Sequence, residues 1–135
     1  PQHEDIYHLI HSLALQANND AYGFHIDDIE ACQFGLYEES AKGHYTWHID
    51  FKGFNETQDK KMRKISVVIQ LSEPTEYEGG ELQLKYSNYS RQEKSDILKK
   101  GSVITFPSFV EHRVTPVTKG KRISLIGWVV GDAWK

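Results

Sequence analysis

Hydrophobic positions along the chain follow two rhythms. Between about residues 4 and 18, Ile6, Leu9, Ile10, Leu13 and Ala17 recur at steps of three and four, the spacing of one helix face. Glu4 and Asp5 suit the start of that helix, and Asn18-Asn19-Asp20 followed by Gly23 suits its end. His8 and His11 fall on it and read as surface or half-buried side chains. From about residue 29 to 130 the period shortens to two. The runs IEACQFGLYEE (29–39), HYTWHIDF (44–51), KISVVIQLS (64–72), GELQLKY (80–86), GSVITFP (101–107), EHRVTPVT (111–118) and RISLIGWVV (122–130) are rich in β-branched and aromatic residues. Gly, Pro, Asn or Lys clusters separate them, and SDILKK (95–100) reads as one more short strand. One helix followed by many short strands predicts a mainly β fold: a sandwich, a jelly roll or a small barrel. The polar stretches KGFNETQDKKM (52–62) and SNYSRQEK (87–94) are expected as loops and as candidate lids.

Composition narrows this picture only a little. At 135 residues the chain is expected to form one domain, large enough to bury about 68% of its unfolded surface without a disulfide or metal staple. Its formal net charge of −3 gives no reason to expect nucleic acid, and the basic runs KKMRK (60–64) and KGKR (119–122) are expected as solvated loops. Cys32 is the single cysteine, so no intrachain disulfide can form, and it lies in an apolar run that suits an inert buried thiol. No run reaches the length of a membrane span, and no signal-peptide core is visible. A cytoplasmic protein with no membrane partner is the expectation.

The candidate chemistry lies in a repeated pair. His-x-Asp occurs as His3-Glu4-Asp5, His25-Ile26-Asp27 and His48-Ile49-Asp50. On a strand, residues i and i+2 point to one face, so the pair can share a metal. On a helix the same spacing turns the side chains roughly 200° apart, which removes the first pair. Asp27, followed by Asp28 and lacking a flanking alternation, reads as a turn residue. His48 and Asp50 sit within the strand pattern, with Trp47, Ile49 and Phe51 on the opposite face. Any one such pair can still be coincidence or a local hydrogen bond. Downstream, however, His112 can add a third ligand from a neighbouring strand, completing the two-histidine, one-carboxylate set that suits non-haem iron(II) with open positions. Arg122 and Ser124 follow on one strand face, suited to gripping a carboxylate through charge-assisted bonds. Together they imply a bidentate organic acid as co-ligand.

The order His48-x-Asp50, His112, Arg122-x-Ser124 resembles the iron(II)- and 2-oxoglutarate-dependent dioxygenases, in particular their prolyl 4-hydroxylase-like branch. YEESAKGHYTWHID, LSEPTEYEGGEL (71–82) and FPSFVEHRVTPVTKGKRIS (106–124) resemble the bacterial and phage PKHD-type hydroxylases, over about residues 29–130. The resemblance implies a double-stranded β-helix, a jelly-roll barrel with the metal near one open end and the N-terminal helix buttressing a sheet. It implies iron(II) on His48, Asp50 and His112. The distal carboxylate of 2-oxoglutarate would sit on Arg122, aided by Ser124, with Tyr37 or Tyr45 adding a hydrogen bond. Val114 and Trp128 would line the cofactor pocket, and Gly79 and Gly80 would be turn glycines. Tyr86, Tyr89 and Arg91 lie where a substrate could be gripped.

The implied reaction is hydroxylation of a C–H bond, with dioxygen as co-substrate, release of succinate and CO2, and ascorbate (vitamin C) as a stimulant. The branch points to a prolyl residue in a peptide or protein, within a bacterial or phage-infected cell. A free amino acid or small metabolite is the alternative substrate. A non-catalytic metal-binding jelly roll is the alternative class, and Arg122 with Ser124 speaks against it, because a structural metal has no use for a carboxylate clamp.

Overall fold

The structure, a computed structural model, describes residues 4–39, 45–50, 61–85 and 96–133. Helix α1 (Glu4–Ala17) forms where the three-and-four spacing placed it, and buries Ile10 and Ala14. Leu9, counted in that spacing, is half exposed at 50% and lies off the buried face. A π-helical turn, Asn18–Tyr22, follows and ends at Gly23 with φ 67°. The buried Asn18 amide accounts for the turn: its Oδ1 accepts from Phe24 N–H and its Nδ2 donates to Phe24 O, both at 2.7 Å.

The strands are β1 (Asp28–Glu38), β2 (Tyr45–His48), β3 (Lys61–Gln70), β4 (Tyr77–Gly79), β5 (Leu82–Leu84), β6 (Val103–Pro107), β7 (His112–Val114) and β8 (Val117–Asp132). One sheet runs in the order β1-β8-β3-β6, with β4 pairing one end of β8, and the other runs β2-β7-β5. Every pairing is antiparallel. Between the sheets lies a core of Tyr37, Val68, Tyr77, Leu82, Ile104, Phe106, Val114 and Val117. The outer face of the larger sheet is also buried, since Ile65, Val67, Ile69, Leu125 and Val129 pack with Ile10 and Ala14 of α1. Covering both faces explains why residues 65–69 of β3 read as an apolar run broken only by Ser66. Helix and sheet approach closely: a Cβ at Gly127 would come within 2.6 Å of Ile10 Cγ2. Facing sheets in this order make the jelly-roll barrel that the motifs implied.

Several local expectations are corrected. Within SDILKK, residues 96–100 are not a strand; residues 96–98 form a short helical turn. EHRVTPVT breaks at 115–116, where the proline removes a ladder donor, so that β7 and β8 are separate. The KGKR run is not a loop but lies within β8, and Lys61 to Lys64 lie within β3. Strand β8 continues through Gly120 (φ 75°) because β4 crosses there so closely that a Cβ would meet Glu76 O at 2.0 Å. Strand β4 itself, three residues long, hides in EYEGGEL beside Gly79 and Gly80, both at positive φ as turn glycines require. Among the described residues no helix is long and apolar enough to cross a membrane.

If α1 clamps the outer face, Ile10→Ala should destabilise the fold by about 3 kcal/mol, the usual cost of emptying a fully buried aliphatic site. Urea unfolding should show a lower midpoint at an unchanged slope. An unmoved midpoint would mean the sheet does not depend on the helix.

Candidate active site

Strands β2 and β7 bring two imidazoles together, because His48 is directly opposite His112 in their register. The ring centroids are 4.2 Å apart, and Phe106 packs on the other side of His112 at 4.7 Å. Asp50 joins them by a different route from the pleat alone. Strand β2 ends at His48, and the Asp50 backbone N–H is instead held by Ser108 O at 3.0 Å. Its Oδ1 then lies 3.5 Å from His48 Nε2 and 3.3 Å from His112 Nε2. Trp47 and Ile49 point away and are exposed, as the alternation required. Phe51 lies outside the described residues.

Hydrogen bonds behind these groups set what faces inward. Nδ1 of His48 lies 2.7 Å from Thr46 O, and Nδ1 of His112 lies 3.0 Å from Val110 O. A carbonyl only accepts, so each Nδ1 carries a proton and each Nε2 is turned toward Asp50, free to offer a lone pair to a metal or, on His112 of the metal-free protein, to share a second proton with the carboxylate. Three acceptors within 4.8 Å of one another call for a cation or a proton between them. Burial opposes ionisation of Asp50, but His112 and the Ser66 hydroxyl outweigh it and hold the carboxyl down at about 2. Burial likewise opposes charge on His112, yet Asp50 and the Val110 carbonyl push its pKa up. Ser66 Oγ donates to Asp50 Oδ2 at 2.7 Å and contacts Ser108 Oγ at 3.0 Å. Sequence reasoning missed both serines. Ser66 is a polar residue interrupting the apolar β3 run on its inward face, and that interruption was the available signal.

The other end of the cavity is built on β8, where Arg122, Ser124, Ile126 and Trp128 alternate inward. Arg122 is 1% exposed, donates from Nη2 to Gln70 Oε1 at 3.0 Å, and lies with its guanidinium 5.0 Å from the Tyr37 ring centre. Its Nε and Nη1, with Ser124 Oγ and Trp128 Nε1, are buried and have no hydrogen-bond partner among the described residues. The Trp128 N–H also favours the ionised Asp50 carboxylate, and the indole is fixed by Arg63, 4.0 Å over its ring and paired to both Glu30 oxygens at 3.0 Å. A buried guanidinium facing no anion is costly, and an anionic ligand would relieve that cost.

One cavity connects the two ends. Of the residues singled out in the sequence, Tyr37, His48, Asp50, His112, Val114, Arg122, Ser124 and Trp128 all line it. Gln33, Val68, Leu82, Phe106 and Ile126 line it as well; the four apolar residues were unforeseen because nothing in their type sets them apart from core, and Gln33 because it stands alone in its run. Tyr45 pairs through its backbone with Val114, and its side chain lies outside the described residues, as do Tyr86, Tyr89 and Arg91. The first HID copy lies elsewhere. His25, Asp27 and Asp132 form a second grouping of possible ligands, all exposed. The Lys61 ammonium bridges Asp27 and Asp132, at 2.7 Å from the latter, and already supplies the cation there. Asp27 therefore serves a cross-strand ion pair just ahead of β1.

A jelly roll with a two-histidine, one-carboxylate centre and an unpaired arginine in one cavity defines a class: metal sites able to hold a divalent cation beside a small organic acid. The profile of the 2OG-Fe(II) oxygenase superfamily matches residues 32–130, and the chain belongs to that family. Membership implies iron(II), 2-oxoglutarate and dioxygen, and the nitrogen and oxygen donor set and the unpaired guanidinium fit the first two. A PKHD-type hydroxylase of Alteromonas mediterranea is 37% identical over 98 residues, covering 71% of this chain and 41% of that protein. One of Prochlorococcus marinus is 36% identical, covering 70% and 40%. The chain thus spans about two fifths of the length of these relatives. A crystal structure of a Pseudomonas putida prolyl-4-hydroxylase superposes with TM-score 0.63 at 26% identity, covering 91% of this chain and 63% of that one. The viral collagen prolyl hydroxylase of Paramecium Bursaria Chlorella virus-1, in its 2OG complex, superposes with TM-score 0.69 at 18% identity, covering 98% and 76%, and shares the fold.

The network behind Asp50 has a measurable consequence. With its carboxyl held near 2, below the unfolded value of about 4, the stability Asp50 contributes to metal-free protein is present above pH ~4 and lost as pH falls toward 2. Ser66→Ala should move that loss to higher pH and weaken divalent-metal binding by roughly tenfold, the low end for removing a partner of a ligand. Acid unfolding followed by circular dichroism, and metal titration calorimetry, check both. Unchanged affinity would mean that Ser66 does not orient the carboxylate.

Proposed function

We propose that this chain, as one catalytic domain over residues 1–135, is an iron(II)- and 2-oxoglutarate-dependent dioxygenase that hydroxylates a prolyl residue in a peptide or protein and releases succinate and CO2. The observation that carries the reading is the pairing, in one cavity, of the His48–Asp50–His112 donor set with a buried Arg122 that meets no anion among the described residues. The prolyl assignment draws on the PKHD-type relatives and the Pseudomonas putida prolyl-4-hydroxylase. A cytoplasmic setting is part of the same reading and agrees with the lone, unpaired Cys32.

In this reading His48 and His112 present neutral Nε2 atoms to iron(II), and Asp50 adds an anionic oxygen. Arg122 and Ser124 bind the distal carboxylate of the oxo acid, Tyr37 flanks it, and Val114 and Trp128 wall the chain between. Bound iron, the oxo acid and dioxygen together supply an oxidant strong enough for an unactivated C–H bond. The residues of this chain bind, orient and exclude water around it: Phe106, Val68, Leu82 and Ile126 keep the cavity apolar where no polar contact is needed.

Anaerobically loaded protein, given oxygen and 2-oxoglutarate, should release succinate above an iron-only control and add 16 mass units to a proline-containing peptide. His48→Ala and Asp50→Ala should fall to the control. Arg122→Ala should raise the 2-oxoglutarate concentration for half-saturation roughly 30-fold or more, the effect of losing about 2 kcal/mol from a buried charge-assisted contact. Succinate release without any mass change on peptides, but with hydroxylation of free proline, would replace the peptide substrate with a small one. No succinate at all would refute the enzyme reading.

A further inference from the structure

Strand β3 carries two polar side chains on its inward face within an otherwise apolar run, Ser66 and Gln70. Ser66 supports Asp50 at one end of the cavity, and Val68, between them, lines the wall. Gln70 lies at the other end, across from Ser124 in the β3–β8 register, and is 2% exposed. Its Nε2 donates to Ile97 O at 3.3 Å, and its Oε1 accepts from Arg122 Nη2 at 3.0 Å. Because the Ile97 carbonyl can only accept, the amide has one orientation, with its oxygen toward the guanidinium. Its backbone is pinned as well: Gln70 N–H donates to Ser102 O at 2.9 Å, and Gln70 O accepts from Gly101 N–H at 2.7 Å. A side chain fixed at both ends of its amide and on both backbone groups holds its neighbour in place.

We propose that Gln70 is a positioning residue for the oxo-acid pocket. It aims the Arg122 guanidinium, and as a neutral amide it leaves that charge free for an anionic ligand. The proposal rests on the assignment of Arg122 as the carboxylate clamp. Of the five guanidinium donors, Gln70 occupies one through Nη2, while Nε and Nη1 stay unpartnered among the described residues. No carboxylate among the described residues pairs with Arg122; its guanidinium meets the Gln70 amide and lies over the Tyr37 ring. A glutamate at position 70 would match the amide in shape but would pair with Arg122 directly, cancelling the charge and repelling an incoming carboxylate. A leucine would keep the volume and let the guanidinium swing.

The test is 2-oxoglutarate binding by calorimetry to the full chain loaded with manganese(II), without oxygen, alongside steady-state turnover. Gln70→Glu should weaken binding at least ~30-fold, as loss of a buried charged contact does, while manganese affinity stays within about twofold. Gln70→Leu should weaken it about fivefold, with the half-saturating 2-oxoglutarate concentration rising and the rate at saturation nearly kept. That split separates aiming of Arg122 from general loosening of the fold, which would lower manganese affinity and saturated rate together and would overturn the proposal. Wild-type binding with equal affinity in both variants would overturn the assignment of Gln70 alone. Absence of 2-oxoglutarate binding in the wild-type protein would instead overturn the reading of the site on which it rests.

Discussion

Strand β8 lies hydrogen-bonded between β1 and β3, and its register against both decides which of its side chains meet the cavity. Arg122, Ser124, Ile126 and Trp128 face inward, while Leu125, Gly127 and Val129 face the helix. A slip of one residue would exchange the two sets and turn Arg122 out of the cavity to the exposed position that Ile123 holds. The outer set guards against that slip. Gly127 is the point where Ile10 comes too close for a side chain, and Ile65 and Val129 sit opposite one another at 0% exposure beneath the helix. Helix packing on one face of the sheet thus holds the chemistry on the other.

Strand β3 then supplies the fine placement at both ends of the cavity. The metal end gathers three acceptors that would repel one another without a cation or proton, and the far end buries a cation that no anion among the described residues meets. Each end alone would be an unstable arrangement in a low-dielectric interior. A divalent metal with a dicarboxylate beside it would resolve both, in keeping with the proposed function. The cost is tolerated because each group is held by neutral partners: Ser66 for Asp50, carbonyl oxygens for the two imidazoles, and Gln70 for Arg122.

Much of this was legible in the sequence because the period-two rule acts at short range. His48 and Asp50 could be separated from the other His-x-Asp pairs by their strand setting, and Arg122, Ser124 and Trp128 could be assigned to one face by counting in twos. Even there the means differed, since Asp50 lies past the end of β2 and converges through its bond to Ser108. What sequence could not reveal depends on contacts far apart in the chain. Ser66 and Gln70 read as minor interruptions of an apolar run until β8 and residues 96–102 are folded beside them. Strand β4 is too short to carry a rhythm, and the turn at 96–98 shares its apolar pair, Ile97 and Leu98, with a strand pattern. The charged Lys119–Lys121 stretch looks like a loop and is a strand, because its partner β4 is covered by no periodic signal.

The proposed site requires one small diacid to span the metal end and the arginine end of a single cavity. Its most direct measurement is the coupling between metal and 2-oxoglutarate, taken as the ratio of 2-oxoglutarate affinities with and without manganese(II), in wild type and in Arg122→Ala. Metal should tighten 2-oxoglutarate binding by tenfold or more, a reciprocal linkage of about 1.4 kcal/mol. Affinity should fall in Arg122→Ala with and without metal alike. A 2-oxoglutarate affinity indifferent to the metal, or unaffected by the loss of Arg122, would contradict that requirement.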